Sequence, residues 1–323
     1  MERLLPTHYF HIVVTLPHEL NPLVLYDKPL MYGMLFRCAS CALLDCARNW
    51  KRLGAHIGFT AVLHTWNQDL SFHPHLHIIA TGGGLDESQS RWISSKTNFL
   101  VPVRLLSRSV RDLFYHAMQE AFSEGKIAFP ASLSQLGSPQ AFQRFLGKRE
   151  RQKWIVYCKK PFGGPEQFLA YVGRYTHRVA ISNHRLLHFE NGRVAFKARD
   201  NSNPSKHRVV MVSAEEFIRG FLLHVLPSGL VRIRHYGLMA ACNAKTKLIK
   251  ARELIDPASS PRHSSQPETS GDDSKTAWQD LLQRLTGVDI SVCPRCGART
   301  IRKSLTILDD LSAKHETPIM NSS

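Results

Sequence analysis

The stretch HPHLHIIATGGG, residues 73–84, limits the fold more than any other part of the chain. Histidines at every second position do not share a helix face. On an extended strand, whose side chains alternate in direction, His73, His75 and His77 all point the same way. Leu76 then turns to the opposite face, toward a core. His73 stands before Pro74 at a turn, so its register is looser than that of the other two. A divalent cation binds imidazole, and two ligands from one strand share it when they project from one face. On its own, His-apolar-His equally describes the exposed face of a two-sided strand.

Neighbouring segments supply partners for such a strand. YFHIVVTLP (9–17) is β-branched and stops at Pro17, and HIGFTAVLHTW (56–66) reads as a second strand. The polar turn NQDLSF joins the latter to the histidine strand, which predicts an antiparallel hairpin. Residues 30–50 have helical apolar spacing. There CASC (38–41) and Cys46 read as helix packing, since small buried cysteines behave as hydrophobes. VPVRLLSRSVRDLFYHAMQEAFSEGKI passes from extended to amphipathic helix, and 131–152 is helical and polar. WIVYCKKPF is a strand running into a Gly-Gly-Pro loop, and Pro165 opens a helix that continues to about residue 178. A hairpin turns at Asn191-Gly192, RVVMV is a further strand, and Ser213 with Glu216 forms a capping box for AEEFIRGFLLHVL. Residues 256–276, rich in Ser, Pro and acidic groups, form a disordered linker to a tail.

Charge narrows the choice of partner. The 323 residues carry 42 Lys plus Arg against 26 Asp plus Glu, a net +16 that concentrates polyanions and supplies sequence-independent affinity for nucleic acid. No run reaches the roughly 18 uninterrupted apolar residues of a membrane span, and no signal peptide is visible. A bacterial cytoplasmic location is expected. Seven cysteines, an odd number, argue against a disulfide framework there.

Two further groups carry chemistry. In YVGRY, Tyr171 and Tyr175 stand one helical turn apart and face one region, with Arg174 and Arg178 on an adjacent stripe suited to phosphates. A phenol is a weak nucleophile at neutral pH, yet it becomes competent toward a phosphodiester beside a metal that stabilises the developing charge. Two tyrosines on a helix also fit simple core packing. In RIRHYG, Arg232 and Arg234 alternate on one strand face before Tyr236, a mix of cations and aromatic suited to single-stranded DNA or to a merely solvated basic strand. Trp66 fits base stacking or core.

Taken in order, VVTLP, HTWNQDLSFHPHLHIIATGGG, PFGGPEQFLAYVGRYTHRVAISNHRLL, FLLHVLP and RIRHYG resemble the HUH endonucleases, and most closely the two-tyrosine rolling-circle transposases of bacterial insertion sequences. The resemblance covers about residues 6–255. It implies an α+β fold in which an antiparallel sheet of the replication-initiator and relaxase type carries the histidines beside a tyrosine helix. His75 and His77 match the paired metal ligands, and Tyr171 and Tyr175 the two nucleophiles. A third ligand comes from the preceding strand, with Gln68 preferred and His64 its competitor. The activity implied is metal-dependent single-strand cleavage and strand transfer through a 5′-phosphotyrosine, with Mg²⁺ or Mn²⁺ as cofactor. The partners implied are single-stranded transposon ends, the DNA target and a host helicase, because no GxxxxGK[ST] loop is present for unwinding.

The expected layout is a nuclease core with its tyrosine helix (1–180), a β-rich DNA-contacting extension (181–255), the linker, and a tail (277–323). In the tail, Cys293 and Cys296 are half of a zinc knuckle, either a structural Zn²⁺ site or a degenerate remnant. The cysteine-rich N-terminal zinc module usual in the family is missing from the expected plan. That leaves a non-catalytic DNA-binding remnant as an alternative, beside a plasmid replication initiator or relaxase of the same chemistry and a zinc hydrolase built on HPHLH.

Overall fold

The alternating strands assemble one main sheet. The computed structural model describes residues 4–150, 154–162, 180–199 and 206–256. The two early apolar runs form β1 (Tyr9–Thr15) and β2 (His56–Trp66), and the histidine comb forms β3 (Phe72–Leu85). A short β4 (Trp92–Ser94) pairs with the end of β3, and β5 (Val156–Phe162) adds on the far side of β1. Every pair is antiparallel. β3 lies in the middle, with Val13 and Val62 opposite His77, and Thr15 and His64 opposite His75.

Strand alternation then sorts the faces. Phe10, Ile12 and Val14 of β1, Phe59, Ala61 and Leu63 of β2, and Leu76, Ile78 and Ala80 of β3 are all buried in one core. Helices cover this face: α1 (Asn21–Tyr26), α2 (Lys28–Arg48), α3 (Val103–Ser123) and α4 (Pro139–Glu150). Asp27 starts α2 by accepting the amide of Leu30 at 3.0 Å. By length and composition α2 is apolar enough to cross a membrane, but 67% of that stretch is buried inside the protein, as a core helix should be. Cys38 and Cys46 sit in its buried face, as packing residues, whereas Cys41 is exposed, contrary to the packing expected of it; burial pushes the Cys38 thiol up to about 11.

The glycines that close the comb allow close approach. A Cβ on Gly84 would overlap the carbonyl of His56, and one on Gly82 the imidazole of His8.

The segment after residue 180 feeds two sheets. β6 (Leu186–Glu190), β7 (Arg193–Arg199) and β8 (His207–Ser213) form a separate antiparallel sheet. Its first turn uses Asn191 and Gly192 at φ 51° and 70°, the left-handed pair a tight hairpin requires. Ser213 caps α5 (Ala214–Leu222) by accepting the amide of Glu216 at 3.2 Å, as the capping box predicts. Phe196 and the phenyl groups of α5 pack on Leu70, in the turn between β2 and β3. The chain then returns: β9 (Ile233–Gly237) pairs with β2, and α6 (Lys247–Ile255) packs with Leu5, Leu85 and Leu238.

Candidate metal centre

The face of the main sheet opposite the helices collects imidazoles. His75 and His77 project from β3, His64 from β2 and His11 from β1, because each stands one residue out of phase with the buried apolar set. One ring nitrogen from each of His64, His75 and His77 lies within 4.8 Å of the others. The Nε2 atoms of His75 and His77 are 3.0 Å apart. His64 is buried, while His75 and His77 are half-buried.

Hydrogen bonds orient the rings. Nδ1–H of His75 donates to the carbonyl of His73 at 2.7 Å, which leaves the Nε2 lone pair facing the cluster. Nδ1 of His77 is 2.8 Å from Nε2 of His11, whose ring stacks on it at an interplanar angle of 12°. For Nε2 of His77 to be a ligand, its Nδ1–H must donate to His11. Three imidazoles whose ring nitrogens lie this close together are a fitting donor set for a divalent transition ion.

Burial holds these groups neutral. It is the foremost cause of the depressed pKa at all four, from an ordinary 6.5 to about 4 for His11 and His75 and about 2 for His64, and lower still for His77. Charge on the neighbouring imidazoles adds to it, with Lys159 acting on His11 and His77, and Arg232 on His64. Unfolded, these side chains titrate near 6.5, so below that pH the unfolded state takes up protons the folded state refuses. The stability they permit is therefore complete above about pH 6.5 and is lost as the pH falls toward 4. Melting of the metal-free protein should be level between pH 7 and 8. Below 6.5 it should decline by up to about 1.4 kcal/mol per pH unit for each histidine. A melting profile that stays level down to pH 5 would contradict this.

The register decides the neighbour of the histidine pair. His64 stands directly across from His75, whereas Gln68 lies past a bulge, in the turn where Asn67 closes onto Ser71 and Leu70 takes a φ of 65°. Gln68 instead lines a cleft beside Trp66. The register thus sets His64, and not Gln68, directly across from the first of the histidine pair, with Gln68 in the turn beyond the strand end.

Arg234 and Tyr236 do not join the histidines. They face the helices, with the Arg234 guanidinium 4.2 Å over the Phe36 ring and Tyr236 stacked on Phe59 at 5.1 Å. Arg232, just before β9, lies on the histidine side in its electrostatic effect. Two residues near the site escaped sequence reasoning. His11 and Lys159 are directly paired across β1 and β5, and both sit on the outward phase of strands correctly read. Tyr171, Tyr175, Arg174, Arg178, Cys293 and Cys296 lie outside the described residues.

Comparison with known proteins bears on the chemistry. A family model described as "Putative transposase" matches residues 58–247. The chain is 44% identical over 293 residues to "Putative transposase y4qJ" of Sinorhizobium fredii, an alignment covering 91% of this chain and 72% of that protein. It is 28% identical over 292 residues to the "Transposase for insertion sequence element IS801" of Pseudomonas savastanoi pv. phaseolicola, covering 90% of this chain and 66% of the relative. No solved structure matches it significantly.

Proposed function

Because the chain belongs to the transposase family of that model, we propose that it acts in DNA transposition as a rolling-circle enzyme, cutting and rejoining single-stranded DNA at transposon ends. The observation that carries this reading is the convergence of His64, His75 and His77 on one face of an antiparallel sheet. These three residues would hold Mg²⁺ or Mn²⁺, with His64 taken as the third ligand in place of Gln68. When bound, the cation would supply Lewis-acid stabilisation of charge developing on the scissile phosphate.

The chain's own groups do the rest. The phenol oxygen of Tyr171 or Tyr175 attacks phosphorus as its proton is withdrawn, and the 3′-oxygen leaves and is protonated. A 5′-phosphotyrosine and a free 3′-hydroxyl result, and attack by a 3′-hydroxyl reverses the step without an external energy source. Lys159 and Arg232 stand near enough to the imidazoles to influence their protonation, and would likewise favour a phosphate there. A host helicase would supply the single strand.

Incubation of the full chain with labelled single-stranded DNA bearing the element's end tests the proposal. With Mn²⁺, a covalent protein–DNA adduct that survives denaturation is expected; with EDTA, none. Cleavage with no adduct, or an adduct indifferent to EDTA, would overturn it.

A further inference from the structure

Beside the histidines, the turn after β2 and the small sheet enclose a cleft of about 580 Å³, the size of a site for one or two nucleotides. Trp66, Gln68, His184, Lys197, Arg199 and His207 line it, and none of its described lining residues is acidic. Arg199 and His207 face each other across β7 and β8, and Lys197 stands two residues before Arg199 on the same face of β7, so the three make one basic stripe. Polar contacts tie the walls together. The Arg185 guanidinium donates to the carbonyls of Lys197 and Gln68, and Arg208 pairs with Asp69 at 3.2 Å.

Trp66 belongs to both places. It is half-buried, lines the cleft, and stacks on His64 with ring centroids 4.7 Å apart and planes 15° from parallel. A ligand resting on this indole lies next to the candidate cation ligands.

We propose that the cleft seats a nucleotide of single-stranded DNA flanking the cleaved phosphate, its base stacked on Trp66 and its phosphates on Lys197, Arg199 and His207. An aromatic floor with a basic wall suits an unpaired base, whose face is free to stack, and not a duplex, whose faces are already stacked. The identity of the flanked phosphate rests on the nuclease reading above; binding in the cleft does not.

Binding of a fluorescent single-stranded oligonucleotide of about 12 nucleotides to the full chain in EDTA is the test. Trp66→Ala should weaken it about tenfold or more, and Trp66→Phe should keep most of it. The surface double variant Lys197→Gln, Arg199→Gln should weaken binding too, and flatten its salt dependence by about 1.4 in log–log slope, two phosphates' worth. Wild-type affinity in both Trp66→Ala and the double variant would overturn the proposal, as would duplex DNA bound as tightly as the single strand. Normal oligonucleotide binding without any adduct in Mn²⁺ would instead strike the nuclease reading and leave the cleft standing.

Discussion

Alanine at His75 or at His77 should slow cleavage of single-stranded DNA by about 10³-fold or more, the equivalent of about 4 kcal/mol of lost charge stabilisation at the transition state. The two Nε2 nitrogens are 3.0 Å apart, so removing either ring would leave the proposed ligand set incomplete. The loss should not come from unfolding. Leu76 and Ile78, buried on the other face of β3, carry the packing. Removing one also relieves the acid sensitivity of the fold. His73→Ala is the contrast, because what His73 gives the site is its carbonyl, accepting from His75 at 2.7 Å. That variant should cleave within a few-fold of the wild type, as gel assays of initial rate would show.

Phenylalanine at both Tyr171 and Tyr175 should abolish the covalent adduct entirely, since both nucleophiles of the proposed reaction are then removed. On the proposed mechanism each single variant keeps one nucleophile and should still form an adduct, but could not hold two 5′ ends at once. The single variants should therefore nick and fail to exchange strands. An adduct persisting in the double variant on denaturing gels would remove both tyrosines from the reaction.

Alternation made the sheet legible before any coordinates. The strands at 9–15, 56–66 and 72–85, the buried side of Leu76, the Asn191-Gly192 hairpin and the Ser213 cap all follow from local chemistry. What did not follow depends on contacts remote in sequence. His11 meets His77 across 66 residues, and no local pattern on β1 announces that partner. Which residue stands across from His75 turned on hairpin register, which a bulge and a left-handed Leu70 set. Arg234 and Tyr236 were read on a strand, and correctly, but their side of it depends on how β9 docks against β2, with Tyr236 opposite Phe59. The expected extension at 181–255 likewise hid β9's return to the main sheet, because a short strand carries no mark of which sheet it joins.

Titration of the metal-free chain with Mn²⁺, followed by electron paramagnetic resonance, bears most directly on the three-histidine site. One ion per chain should bind; His64→Ala should weaken it strongly, as should His75→Ala or His77→Ala, while Gln68→Ala leaves it intact. Binding that survives loss of His64 and fails with loss of Gln68, or no bound ion at all, would contradict the account.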